Sequence, residues 1–133
     1  MKSRPRTGEV AVLEFTVTGQ HIIDFADDVM PQVLSTPWLI WFLEHTARKA
    51  MLPHLDPVES TVGAMVNVEH LSPTPPGATV KCQAKVIYYD KYMFSFEFRA
   101  WDGHDLICRG THKLRVIRKA RLAQVVSKKA QGS

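Results

Sequence analysis

A single carboxylate, Glu44, lies in the middle of the segment STPWLIWFLEHTARKAML, which spans residues 35 to 52. Seven of the eight residues before it are either bulky and apolar or proline. A charged carboxylate is costly to bury without partners, so its presence indicates either satisfied hydrogen bonds or an acidity that serves chemistry. Backbone groups, His45 or Arg48 could satisfy it. The alternative is a carboxylate that faces a small pocket.

Two further polar residues have types that suit hydrolytic chemistry. Thr36 begins the apolar segment, where the free N–H groups and positive dipole of a helix start favour negative charge. His70 lies in a later segment of strand character and has the type of a general base. Thr36 and Glu44 are eight residues apart, about 12 Å along a helix, so they cannot touch directly. His70, a bound substrate or a second chain would have to lie between them.

Start and stop signals predict a helix over residues 37 to 52. Ser35 or Thr36 can cap its first free N–H groups, Pro37 suits the first turn, and Pro53 ends the run. Apolar residues surround most of the first two turns. We therefore expect this helix to be buried on several sides.

Five segments have strand character because they alternate apolar and polar residues or are rich in β-branched and aromatic residues. They are EVAVLEFTVT (9–18), TVGAMVNVEHL (61–71), TVKCQAKVIYY (79–89), YMFSFEFRAW (92–101) and DLICRGTHKLRVI (105–117). The dipeptide Asp102-Gly103 predicts a tight turn between the last two. One strand, a long central helix and four further antiparallel strands predict an α+β fold. The stretch 20–34, around Asp27 and Asp28, gives no clear prediction.

Length and composition predict one globular domain over residues 1–133. No apolar run approaches the roughly 18 to 20 residues of a membrane span, and the first ten residues lack the features of a secretory signal, so we expect a cytoplasmic protein without membrane contact. Cys82 and Cys108 both lie within predicted strands, where we expect them to be reduced packing residues. The six histidines form no helical ligand pair, so no metal site is predicted.

The net charge of +4 is concentrated at the two ends of the chain. Residues 10 to 117 contain 9 basic and 12 acidic residues, whereas residues after 117 contain five cations and no acid. Nothing aromatic is interleaved with these cations, which argues against a nucleic acid partner. We expect basic, flexible ends over about 1–7 and 119–133 that keep the protein in solution or meet the phosphates of a cofactor.

Three stretches resemble the fluoroacetyl-coenzyme A thioesterase family residue by residue. They are VLSTPWLIWFLEHTARKAM, STVGAMVNVEHLSPTPPG and GTHKLRVI, within residues 33 to 117. The spacing is distinctive: a Thr stands eight positions before a helical Glu, and a His stands 26 positions after that Glu, just ahead of T-P-P-G. The resemblance implies the hotdog fold, in which an antiparallel sheet of about five strands wraps one long helix.

The resemblance also implies a function and its residues. The family uses a Thr, a Glu and a His as its catalytic set and a Gly backbone N–H to bind the thioester, and these fall on Thr36, Glu44, His70 and Gly63. We expect an acyl-coenzyme A thioesterase that releases coenzyme A and a free acid from small or medium acyl groups. No cofactor is expected, since coenzyme A is part of the substrate. A homodimer is expected as in the family, or a tetramer built from it.

The chain departs from the family pattern at four positions. Pro37 replaces a favoured Gly, Trp38 and Trp41 are broader aromatics, and Leu114 stands where the fluoroacetyl-specific enzyme has an Arg. These departures bear on the identity of the acyl group rather than on thioester chemistry.

Simpler interpretations of the site residues remain open at this stage. Thr36 could be a helix cap only, His70 a structural strand residue, and Gly63 a bulge or close-packing glycine. Ser35 could supply the hydroxyl instead of Thr36. Three further histidines are interpreted as structural or exposed; they are His45, His54 and His112.

The reaction expected is that His70 activates a water or the Thr36 hydroxyl while Glu44 orients or attacks, with N–H groups near Gly63 and the helix start holding the thioester oxygen. Two other functions share the fold: a hydratase or dehydratase acting on acyl thioesters, and a protein that binds acyl-coenzyme A without turning it over. The usual hydratase signature, a strand His closely followed by Asp, is not evident.

Overall fold

The five strands form one antiparallel sheet in the order β1-β3-β4-β5-β2 in the computed structural model, which describes residues 1–25 and 29–132. The elements are β1 Val10–Thr16, α1 Thr36–Met51, β2 Glu59–His70, β3 Thr79–Asp90, β4 Met93–Trp101, β5 Leu106–Arg118 and α2 Lys119–Ala130, with a 3-10 turn at Leu52–His54. The first and second strands along the chain therefore lie at opposite edges of the sheet.

Every predicted boundary of the main helix and the five strands lies within two residues of the observed one. The α+β arrangement of one sheet and one packed helix is confirmed. Asp27 and Asp28, in the stretch without a clear prediction, lie outside the described residues. The single-domain organisation and the flexibility of the ends stay predictions.

The core lies between α1 and the inner face of the sheet. Alternate residues of the middle strands point inward, as their sequence periodicity predicts. The buried inward residues are Val80, Cys82, Ala84 and Val86 of β3, Phe94, Phe96, Phe98 and Ala100 of β4, and Leu114 and Val116 of β5. They meet an apolar face of α1 that includes Leu39, Leu43, Ala47 and Met51. Burying each such large side chain stabilises the fold by about 1.5–3 kcal/mol relative to leaving it exposed.

The helix is not buried on all the sides that its sequence suggests. Trp41 is 47% exposed, and the centroid of its ring lies 3.8 Å from the centroid of the His45 ring. The predicted burial of the first two turns is thus wrong for this residue in the single chain.

The edge strand β2 carries exposed side chains along its middle. Residues 62 to 65 are all exposed, including the apolar Val62 and Met65. The pairing with β5 shifts between Gly63 and Met65, so Ala64 is the extra residue of a bulge. The outer edge of this strand has no neighbouring strand among the described residues.

The inner edge of β2 approaches β5 very closely at Gly110. A Cβ built on this glycine would lie 2.6 Å from the Cα of Val68 and would also overlap the carbonyl oxygen of Asn67. Only glycine fits this contact, which fixes how near the two strands lie.

Both cysteines are buried and free. Burial is the main cause that raises the pKa of Cys82 to about 12, and burial raises the pKa of Cys108 to about 11. Their predicted position as packing residues within strands is confirmed.

The carboxyl-terminal helix α2 follows β5 directly and has no buried residues. A cleft of about 820 Å³ separates it from the end of the sheet and contains none of the four predicted site residues. In the described part of the chain, neither this helix nor α1 is long and apolar enough to cross a membrane.

Candidate active site

The predicted site residues lie along the line where α1 packs against β2. The two elements run in opposite directions, because Thr36 at the start of the helix meets His70 at the end of the strand. Eight residues later, Glu44 lies beside Gly63: a Cβ built on the glycine would be 3.4 Å from Glu44 Oε2. Near the end of the helix, Arg48 reaches the beginning of the strand.

The first half of the candidate site is a hydrogen bond between Thr36 Oγ1 and His70 Nδ1, at 2.7 Å. Ser35 occupies the N-cap position of the helix, and no side chain makes a capping hydrogen bond there. The Thr36 hydroxyl is therefore directed to the imidazole and is not a helix cap. Ser35 is buried next to it but makes no hydrogen bond to His70 in the described structure.

The environment of His70 keeps its ring neutral. Burial lowers its pKa below the usual value for histidine, and a smaller effect of the Ser72 backbone opposes this shift. Its Nε2 is buried and has no hydrogen-bond partner among the described residues. A neutral ring with one nitrogen on a hydroxyl and the other nitrogen unpartnered is suited to moving a proton.

The second half of the candidate site is the carboxylate of Glu44, which is half-buried. Its two expected partners are engaged elsewhere. The Arg48 guanidinium donates to Ser60 Oγ at 2.9 Å and Thr61 Oγ1 at 3.3 Å, and the His45 ring contacts the Trp41 ring at a tilt of 47°. Within residues 1–25 and 29–132, neither side chain neutralises the carboxylate, so the explanation of Glu44 as a group satisfied by them is wrong.

A small cavity of about 90 Å³ lies in front of this carboxylate. Its lining residues come from the helix and from β2 and β5; they are Glu44, His45, Arg48, Thr61, Gly63, His112 and Leu114. Thr36 and His70 are not among them. Within one chain, the four predicted residues thus form two separate pairs.

The cavity contains a residue that the sequence analysis left out of the site. His112 is buried, with 1% of its surface exposed, and shares the cavity wall with Glu44 and Gly63. The alternation of β5 carries the signal for this position, since His112 has the same inward phase as Leu114 and Val116. A histidine that points inward among apolar neighbours is an unusual core residue. His54, by contrast, lies far from both pairs of site residues, near Ser3 and Glu9.

No group of three or more His, Cys, Asp or Glu that could hold a metal occurs among the residues that the structure describes. The chemistry available here is that of a hydroxyl, an imidazole, a carboxylate and backbone N–H groups. The absence of a cofactor stays a prediction.

An antiparallel sheet packed on one helix that carries polar groups is the arrangement of the hotdog-fold thioesterases. A thioesterase superfamily member from Thermus thermophilus shares this fold with a TM-score of 0.89 and 26% identity, over 96% of this chain and 95% of that one. The hotdog fold predicted from the sequence is confirmed.

The chain belongs to the family of fluoroacetyl-CoA-specific thioesterases, whose family model matches residues 17–120. The fluoroacetyl-CoA thioesterase of Streptantibioticus cattleyicolor is 34% identical over 125 residues, which cover 88% of each chain. The solved structure of the fluoroacetyl-CoA thioesterase FlK superimposes with a TM-score of 0.90 and 28% identity, covering 96% of this chain and 98% of that one. The predicted family is confirmed.

Proposed function

We propose that this protein hydrolyses short acyl-coenzyme A thioesters to the free acid and coenzyme A. The observation that carries the proposal is the 2.7 Å bond between Thr36 Oγ1 and His70 Nδ1, beside a buried His70 Nε2 without a partner. Family membership and the unneutralised carboxylate of Glu44 support it. The predicted cytoplasmic location and the lack of any cofactor are part of the same proposal.

Hydrolysis uses these groups as proton carrier, oriented carboxylate and oxyanion donors. Neutral His70 takes a proton from the Thr36 hydroxyl or from a water, and the oxygen attacks the thioester carbon. N–H groups near Gly63 and the start of α1 stabilise the negative oxygen that forms. Collapse of this intermediate breaks the C–S bond, and the imidazolium returns its proton to the sulfur. Glu44 orients the attacking oxygen or itself attacks. If a water attacks, this step releases the free acid. If Thr36 or Glu44 attacks, the acyl group stays on that side chain until a water, deprotonated by neutral His70, attacks it and releases the acid.

The catalytic unit is a homodimer joined through the edge strand β2. Within one chain, seven residues separate Gly63 from His70 along the strand, about 20 Å, which is too far for one thioester group to meet both. Antiparallel pairing of two β2 strands about an axis near Val66 and Asn67 sets Gly63 opposite His70 of the partner subunit. This pairing supplies the exposed edge with hydrogen-bond partners and covers the apolar Val62 and Met65.

The acyl group is small because the cavity in front of Glu44 is small, about 90 Å³. Leu114 makes part of its wall apolar. A short acyl group fits this size and lining.

The decisive experiment is thiol release from coenzyme A thioesters that run from acetyl through branched and aromatic to long-chain acyl groups. We expect a preference for the short groups. Glu44→Gln and His70→Ala should each lower kcat/KM by about 100-fold or more, the size typical of losing a catalytic proton-transfer group. Glu14→Gln, on β1, and His104→Ala, in the turn after β4, are matched controls that should keep wild-type rates.

Two results would contradict the proposal. One is full activity in both folded variants, which would remove these residues from the chemistry. The other is the absence of thiol release across the whole series, which would favour binding without turnover; hydration of crotonyl-coenzyme A would then identify a hydratase.

A further inference from the structure

His112 is a buried histidine that the proposed reaction does not use. Its ring packs against two phenylalanines of β4 on the inner face of the sheet. The ring of Phe98 stacks on it with centroids 4.8 Å apart and planes 16° apart, and Phe96 lies farther along, at 6.2 Å. The imidazole therefore has one fixed orientation.

One ring nitrogen of His112, on β5, makes a hydrogen bond to the edge strand β2. His112 Nδ1 lies 2.9 Å from the carbonyl oxygen of Met65. A carbonyl oxygen only accepts, so Nδ1 carries the hydrogen and donates it. Burial lowers the pKa of His112, whereas the bond to Met65 and the charge of Glu44 raise it by smaller amounts. With the hydrogen on Nδ1, Nε2 of the neutral ring is an acceptor.

The carbonyl that receives this bond belongs to Met65, which directly follows the bulge of β2. The pairing with β5 is regular up to Gly63 and resumes at Met65, so Ala64 between them has no partner in the ladder. A side-chain hydrogen bond to Met65 anchors the backbone on one side of the bulge. Gly63 lies on the other side of the bulge, two residues from Met65, and beside Glu44.

We propose that His112 is a positioning residue of the hydrolytic site, whose Nδ1–H bond to Met65 holds the β2 bulge so that the Gly63 backbone N–H is presented beside Glu44. The inference rests on the proposed function, since Gly63 matters only if a thioester oxygen is stabilised there. It assigns to His112 an action through the backbone rather than contact with the substrate.

The test compares two substitutions that separate packing from hydrogen bonding. His112→Phe keeps a flat ring against Phe98 but removes the donor, whereas His112→Asn keeps a donor near the position of Nδ1. We expect His112→Phe to lower kcat by about 100-fold with little change in KM, the size expected for a misplaced catalytic group. His112→Asn should restore kcat to within about tenfold of wild type. Val80→Ala on β3 is the control for lost core packing and should keep kcat.

A second measurement does not depend on activity. In ¹⁵N-labelled wild-type protein, His112 should be the tautomer with hydrogen on Nδ1, and the Gly63 amide resonance should shift in His112→Phe but return towards its original position in His112→Asn. Wild-type kcat in His112→Phe overturns the inference. An unmoved Gly63 amide together with a lost kcat also overturns it, because the ring would then act directly. If the wild-type protein hydrolyses no thioester, the proposed function fails, while the amide shift still decides whether His112 holds the bulge.

Discussion

At the scale of single residues, the role of each side chain in the site depends on the neighbour that it contacts. Thr36 and His70 are bonded to each other, whereas Glu44 is left without its two expected neighbours because Arg48 and His45 are engaged elsewhere. The sequence could indicate that Glu44 was unusual and, through its resemblance, that Thr36 and His70 belonged with it. It could not indicate which partner each neighbour would choose, since Arg48 binds hydroxyls on a strand that begins eleven residues later.

A pH dependence follows from the surroundings of His70. Its pKa is lowered by burial, so the neutral ring that accepts a proton persists to lower pH than for an exposed histidine. We expect kcat/KM to fall as the pH drops through a midpoint below about 6.5, the usual histidine value. A profile of kcat/KM between about pH 4.5 and pH 8.5 measures it. A midpoint above about 7 would contradict this assignment, as would an unchanged acid limb in His70→Ala.

At the scale of elements, local sequence signals were sufficient to predict the main helix and the five strands and where each begins and ends. The start of α1 is marked by a serine and a proline, and its end is followed by Pro53. The alternation of apolar and polar residues in β3, β4 and β5 predicts which side chains point inward. The pairing order was not readable in the same way. β2 follows α1 in the chain but pairs with β5, the last strand, and this non-local partner is chosen by packing rather than by any nearby residue.

The closeness of that pairing can be tested at Gly110. Gly110→Ala should destabilise the fold by about 1–3 kcal/mol, because its Cβ has no room against the backbone of Asn67 and Val68 and must push β2 away from β5. Thermal and urea unfolding measure the loss. Gly19→Ala is the matched control, since a Cβ there meets nothing within 4 Å and should change stability little. Equal stability of the two variants would show that β2 is not held by this contact.

At the scale of the whole molecule, the arrangement of the site argues for two chains. The pairs Thr36–His70 and Glu44–Gly63 lie at separate places along one edge strand. The edge itself exposes apolar residues in its middle, an arrangement that monomeric proteins generally avoid. The sequence pattern alone does not predict this arrangement. The separation of the two pairs and the exposure of the edge strand become visible only once the helix and the strand are placed together.

Mixing two inactive variants tests the shared site. In a heterodimer of a Glu44→Gln chain and a His70→Ala chain, one of the two sites combines the intact Glu44 of the His70→Ala chain with the intact His70 of the Glu44→Gln chain. The other site contains both substitutions. With random pairing, activity should return to about a quarter of the wild-type level. A mixture of Glu44→Gln and Glu44→Ala chains is the control and should stay inactive. Failure of the first mixture to recover, with heterodimers present by sedimentation and mass spectrometry, would place Glu44 and His70 in one chain's site.

The two buried cysteines have a practical consequence for such work. A folded protein whose thiols are inaccessible and whose thiol pKa values are raised to about 12 and about 11 contains almost no reactive thiolate near neutral pH. A colorimetric thiol reagent present during turnover therefore reports only the coenzyme A that is released. Any slow colour from substrate-free protein reports instead the opening of the core around β3 and β5, so one reagent distinguishes catalysis from loss of the fold.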